Sequence, residues 1–368
     1  MKIFYCVRNL EAIPSCMYNI QMLCDCGYEV IPVIGKTTQH LNDYFEKRKL
    51  FKFTSMRTYS KNRILDYLSL NKDYITNFLK AMKYYDKAAL IIFGTFDSVI
   101  TVSRWLKNKN YVMCLKELHE TPISTMKKLR CLSKKAQGII CCEKNRAKII
   151  KFRWGLERCP YTISNKPYGY STEPNMVPKN HNNRFIIEKI KDRPVIVYQA
   201  RHIHFADELI NLSKALKMLD KDIVLVLIGT VDRKEDAERI ESIYPHIIWT
   251  GHIPAPLHLE VTSYAKIGVA VYAENSLNNL FCAPNKIYEY AGFGIPSLCN
   301  DVPGLVETIG LNRAGLCVAW KAEKIAKAIT EILDNYEMYS QNAKRFFNEE
   351  DNIKQIGNII EDIRKRMC

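Results

Sequence analysis

The segment richest in chemistry runs Ala283-Pro-Asn-Lys-Ile-Tyr-Glu-Tyr-Ala-Gly-Phe-Gly-Ile-Pro-Ser-Leu, after a strand-like run and a polar loop. Pro284 suits the first position of a helix, where its missing N–H costs nothing and its fixed φ starts the turn. The free amides beyond it, at Asn285 and Lys286, share the positive end of the helix dipole and bind phosphate, and Lys286 adds a full charge. Glu289 follows three residues later on the same face. A carboxylate accepts two hydrogen bonds at once, so Glu289 reaches past a bound diphosphate to the vicinal hydroxyls of a ribose. Gly292 and Gly294 then close the helix against the next strand. The plainer reading of the same residues is a helix with a solvated glutamate and a glycine cap.

A second group lies in the first half. Glu117, His119 and Glu120 follow an apolar strand, and Arg8 and Asn9 end the first one, so both groups sit at strand ends where ligands bind in α/β proteins. The cysteines and acidic residues form no recognisable metal cluster, and the 13 cysteines include no Cys-x-x-Cys knuckle. They read as reduced core residues. The first strand leads into Val7-Arg-Asn-Leu-Glu, without the glycines of a dinucleotide fingerprint, which disfavours a nicotinamide dehydrogenase.

These residues need a scaffold, and the hydrophobic pattern supplies it. Short apolar runs at Lys2 to Val7, Glu29 to Ile34, Ala88 to Phe93, Tyr111 to Leu115, Gly138 to Cys141 and Tyr161 to Ser164 read as buried parallel strands with helical crossovers. A polar stretch over 165–192 follows. The pattern then restarts with Val195 to Gln199, Ile223 to Ile228, Ile247 to Thr250, Ile267 to Tyr272, Pro296 to Cys299 and Gly315 to Ala319. At 368 residues the chain has room for two such domains. The expected division is an α/β domain over 1–165, a linker over 166–192, a second α/β domain over 193–345, and a C-terminal helix over 346–368 that packs back on the first domain. Each domain is of the doubly wound, Rossmann-like type, the two facing across a cleft that holds the chemistry.

Charge separates the halves further. Residues 1–165 carry 29 Lys and Arg against 13 Asp and Glu, and residues 166–368 carry 25 against 26. The first half therefore meets something anionic, a lipid phosphate or membrane surface. Nucleic acid is disfavoured because no recognition module accompanies the charge. No run approaches the eighteen apolar residues of a membrane span, and the opening segment is too short for a signal peptide, so the expected location is the cytoplasm, peripherally on the inner face of the membrane.

The C-terminal half resembles the family 4 glycosyltransferases of the GT-B fold, through the Pro284-Asn-Lys-aliphatic-aromatic-Glu-Tyr signature, Val195-Ile-Val-Tyr-Gln-Ala-Arg, Gly251-His-Ile-Pro and Asn300-Asp-Val-Pro-Gly-Leu-Val-Glu. In the first half the resemblance rests on Glu117-Leu-His-Glu and Ile163-Ser-Asn-Lys-Pro. It implies a retaining transferase that takes its sugar from a nucleotide diphosphate sugar, with Glu289 on the donor ribose, Ala283, Pro284, Asn285 and Lys286 on the diphosphate, and the base near Gly251, His252 and Ile253. Arg201 matches the family's phosphate-clamp arginine, and His119 matches a histidine near the transferred sugar, with Glu120 beside it. Arg8, Asn9 and Glu117 fall on the acceptor side.

Two departures stand out. The family's earlier glutamate is Phe281 here. The second clamp residue, a base followed by glycine, is replaced by Ala206-Asp207, which leaves His202, His204 or Lys286 to compensate. No metal or other cofactor is expected, and the acceptor is read as a lipid-linked saccharide in surface polysaccharide or glycolipid synthesis. The alternatives are a sugar-nucleotide epimerase of the same fold, with Glu117 and Glu120 as acid and base, and a non-catalytic sugar-nucleotide binding protein.

Overall fold

The computed structural model describes residues 1–11, 13–56, 62–120, 123–203, 206–219 and 221–367. They divide into two compact units, one of Met1–Ser164 with Asp351–Cys368 and one of Asn165–Glu350. Each is an α/β unit built on a parallel sheet with helical crossovers.

In the first unit the strands are β1 (Lys2–Asn9), β2 (Glu29–Thr37), β3 (Phe53–Met56), β4 (Leu90–Phe93), β5 (Tyr111–Leu115), β6 (Gly138–Cys141) and β7 (Tyr161–Thr162), ordered β3-β2-β1-β4-β5-β6-β7. Ile3 to Val7 are fully buried, as a strand covered by helices on both faces must be. The order reverses direction between β1 and β4, so the carboxyl ends of those strands form the switch point where open α/β sheets bind ligands. Strand β3 is absent from the sequence reading because its Phe-Thr-Ser-Met is a half-exposed edge rather than a buried apolar run. The last helix, Asn352–Met367, belongs to this unit. Its Ile356, Ile359, Ile360 and Ile363 are buried, Asn352 Nδ2 donates to the Ser164 carbonyl at 2.9 Å, and Arg366 donates to the Gln137 carbonyl at 3.2 Å.

The second unit carries β8 (Val195–Ile203), β9 (Val224–Val231), β10 (Ile247–Gly251), β11 (Ile267–Ala270), β12 (Ser297–Asn300) and β13 (Gly315–Val318), ordered β10-β9-β8-β11-β12-β13. Residues 166–192, expected as a linker, are part of it and include a helix over His181–Ile190. The buried Glu260 ties that helix down, accepting from Lys179 N at 3.0 Å and Asn183 Nδ2 at 2.8 Å. This carboxylate is satisfied by structure alone.

Two glycines shape the packing of this sheet. A Cβ on Gly268 would lie 2.2 Å from the Tyr290 ring, so the missing side chain lets helix Asn285–Gly292 settle on β11. Gly229 has φ +151, and a Cβ there would lie 2.1 Å from the Ala200 carbonyl oxygen. Opposite it, the pairing of β8 with β9 slips between Gln199 and His202. A bulge of this kind re-aims the side chains beside it. Here it turns Arg201 and His202 out to solvent while Gln199 stays buried.

Candidate functional site

Helix Asn285–Gly292 begins as the sequence suggests, with one shift: Pro284 is its N-cap, at φ −73 and ψ 150, and Asn285 is the first helical residue. No side chain caps it, so its first amides are free of a capping bond, the condition for anion binding at a helix start. Upstream, the Ala283 carbonyl accepts from Asn165 Nδ2 at 2.8 Å, which fixes the turn. At the other end Gly294, at φ +72, is the left-handed residue of a Schellman closure: its N–H bonds the Ala291 carbonyl at 2.9 Å, and that of Ile295 bonds the Tyr290 carbonyl at 3.0 Å. The positions a Cβ would take on Gly292 and Gly294 face Phe347, Lys344 and Ser340 of helix Tyr336–Glu349, not the next strand as the sequence reading had it.

Lys286 is partly exposed as a residue, yet its ammonium lies 4.8 Å from the centroid of the Tyr198 ring and 5.7 Å from that of Tyr272. Burial lowers its pKa to about 8 against the opposing pull of Glu289, because a desolvated ammonium is costly. A phosphate arriving there meets a cation short of hydration. Glu289 is itself buried. Its Oε2 accepts from Gln199 Nε2 and lies 3.3 Å from His258 Nε2. Thr262 Oγ1 lies 2.9 Å from Gln199 Oε1 and 3.0 Å from the His258 carbonyl.

Gly251, in the left-handed region at φ +69, ends β10, and the pairing sets it against Gly229 on one side of β9 while His202 pairs with Thr230 on the other. Arg201, His202, Gly251, His252 and Ile253 thus share one end of the sheet with His258. Burial, and then the neighbouring Arg201, His202 and His258, hold the His252 imidazole below its usual pKa. Of the residues proposed to replace the missing clamp base, His202 is engaged with Asp232 at 3.1 Å. His204 lies outside the described residues, as do the side chains of Ala206 and Asp207.

In the first unit, Arg8 is committed within the protein: Nη2 pairs with Asp97 Oδ2 at 2.7 Å, Nη1 donates to Asn71 Oδ1 at 2.9 Å, and the guanidinium lies over Tyr67. Asn9 is half-buried at the end of β1. The His119 ring lies 3.9 Å, centroid to centroid, from Phe96, and burial holds its pKa below the usual imidazole value against the pull of Glu117 and Asp97. Glu117 is exposed, and Glu120 lies 4.0 Å from Arg153. These residues therefore gather at the ends of β1, β4 and β5.

Among the described residues no three His, Cys, Asp or Glu form a metal-binding group. The chain does contain one Asp-x-Asp spacing, Asp220-Lys-Asp222. Asp222 is engaged by Arg193 and stands before β9, at the opposite end of that strand from Gly229.

Residues 193–335, less than half of the chain, match the family model described as Glycosyl transferases group 1. This is a group 1 glycosyltransferase domain. The chain is accordingly a glycosyltransferase, and its two α/β units are those of the GT-B fold. Solved structures agree on the fold. A glycosyltransferase from Rickettsia africae superposes with a TM-score of 0.72 at 15% identity, over 100% of this chain and 98% of that one. Sucrose-phosphate synthase from Thermosynechococcus elongatus gives 0.68 at 17% identity over 100% and 98%. HepE from Anabaena, solved with UDP-glucose, gives 0.69 at 12% over 98% of each chain. No curated protein matches the glycosyltransferase in sequence.

Gln199, His258 and Thr262 were not singled out from the sequence. Gln199 ends a buried apolar run and His258 follows a proline-rich loop, and nothing in their spacing announces that both close on Glu289, which is 90 and 31 residues away. The one available signal was a polar amide at a position that burial demanded be apolar.

Proposed function

We propose that the chain transfers a sugar, with retention of configuration, from a nucleotide diphosphate sugar held by the second unit. The observation that carries this reading is the convergence at one sheet end of an uncapped helix start, a desolvated Lys286 and a buried Glu289, inside the segment that matches the family. Breaking the bond between the anomeric carbon and phosphate builds negative charge on the departing diphosphate, so the main catalytic task is to stabilise that charge. Lys286, Arg201 and the amides of Asn285 and Lys286 take this part, without a metal. Glu289 holds the ribose, and Gly251 to Ile253 receive the base. That HepE was solved with UDP-glucose supports a donor of this class. Retention rests on the family 4 resemblance, in which no protein nucleophile is assigned. The leaving phosphate takes the acceptor's proton.

The acceptor is a lipid-linked saccharide at an anionic membrane surface. The first unit holds 33 basic against 16 acidic residues, a net charge of +17, and it exposes Phe51, Ile64, Leu65 and Leu68. Basic and apolar residues together suit such a surface. Two residues in the basic clusters of this unit do not contribute. Leu129 is fully buried, and Arg48 is paired with Asp25 at 2.9 Å. No described helix is long and apolar enough to cross a membrane.

The test is to incubate the protein with UDP-, GDP- and ADP-glucose, galactose or mannose, with and without a membrane lipid extract. Release of nucleoside diphosphate that rises with extract, and an α-linked product from an α-linked donor, is the expected result. Conversion of the donor sugar without release of diphosphate would instead make the chain an epimerase, and no turnover of any donor would make it a binding protein.

A further inference from the structure

Resting on the reading of Glu289 as the ribose carboxylate, we propose that Gln199 is a positioning residue that sets which oxygen of Glu289 meets the ligand. Two side chains close on the same oxygen: Gln199 Nε2 donates to Oε2, and His258 Nε2 lies 3.3 Å from it. A carboxylate held at one oxygen has lost rotation about its last bond and presents the other, Oε1, as an acceptor in a fixed direction. Fixing that direction before the ligand arrives removes an ordering cost from binding.

The orientation of the Gln199 amide follows from its neighbours. Rotated by half a turn, the amide would set its own oxygen against Glu289 Oε2, two acceptors face to face. In the orientation observed, its nitrogen donates to the carboxylate, and its oxygen lies 2.9 Å from the hydroxyl of Thr262. The side chain is buried, so no water competes for these bonds. The fold supplies the rest. The slip in pairing between β8 and β9 begins at Gln199, so the strand stays regular up to this residue and departs immediately after it. Gln199 keeps the inward direction of a buried strand position while Arg201 turns out.

A residue that merely supports the fold would weaken every ligand alike. One that aims Glu289 changes how strongly the protein tells a ribose from a 2′-deoxyribose. The experiment therefore titrates UDP, GDP and ADP, and the 2′-deoxy form of whichever binds tightest, against the wild type, Gln199→Met and Gln199→Leu, with melting temperatures recorded for each. The wild type should prefer the ribose form by about tenfold or more, the worth of one charge-assisted hydrogen bond. Gln199→Met should reduce the preference to about threefold or less. Gln199→Leu, likewise apolar and with no N–H to offer, should do the same and serves alone if the methionine variant does not fold. An undiminished preference in a folded variant, or equal loss for both sugars, overturns the positioning role and leaves the donor site standing. A wild type with no preference, or one that binds none of the three diphosphates, overturns the reading of Glu289 as well.

Discussion

Replacing Lys286 by methionine should stabilise the protein while weakening its grip on the donor. The ammonium has lost hydration beside Tyr198 and Tyr272, and its pKa falls from the ordinary 10.5 to about 8. At about 1.36 kcal/mol per unit, a fully enclosed group would cost the fold roughly 3 kcal/mol at pH 7. The residue is partly exposed, and its contact with Tyr198 returns about 0.5–1 kcal/mol, so the net gain on substitution is about 1 kcal/mol. For a chain of 368 residues that is about 1–2 °C in Tm. The pH dependence fixes the sign. The folded state releases the proton near pH 8 and the unfolded state near 10.5, so between those values the unfolded chain holds more protons and wild-type stability rises with pH. The advantage of Lys286→Met is then greatest below pH 8 and shrinks to about a quarter by pH 10. Thermal unfolding of both proteins at pH 7 and pH 10, with nucleoside diphosphate affinity at pH 7, measures all of this. A variant less stable than the wild type at pH 7, or a gain that persists undiminished at pH 10, refutes the argument, and unchanged affinity removes Lys286 from the donor site.

Three other outcomes follow from the same structure. Gly268→Ala should cost about 2 kcal/mol or more, since its Cβ would meet the Tyr290 ring at 2.2 Å, and an unshifted Tm would show that helix Asn285–Gly292 does not rest on β11 as described. Sugar transfer should survive EDTA, and abolition with rescue by magnesium or manganese would require a metal the proposal omits. The protein should sediment with vesicles containing anionic lipid at low salt and be released at high salt, and equal binding to neutral vesicles would sink the anionic-surface reading.

The strands with buried apolar runs were legible because burial on both faces leaves an uninterrupted hydrophobic signature, as in Val224 to Ile228. Edge strand β3 has no such signature, and residues 166–192 looked like a linker because the polar face of helix His181–Ile190 dominates their composition. Within the site, Lys286 and Glu289 could be read because one helix turn carries both. The partners of Glu289 could not, since they come from another strand and another helix and meet it only through the sheet order β8-β11 and the bulge at Gln199. Gly292 and Gly294 were read as closing the helix, which Gly294 does through its left-handed turn, but against the wrong neighbour. A left-handed cap is a local property, whereas what packs on it is not.

The most direct test of the donor site is calorimetric titration of UDP, GDP and ADP into the wild type and Glu289→Ala, with Tm measured alongside. Loss of two charge-assisted hydrogen bonds to ribose should cost about 2–4 kcal/mol, a fall of roughly 30- to 1,000-fold in affinity for the preferred diphosphate, with the variant still cooperatively folded. Equal affinity in the two proteins would contradict the account.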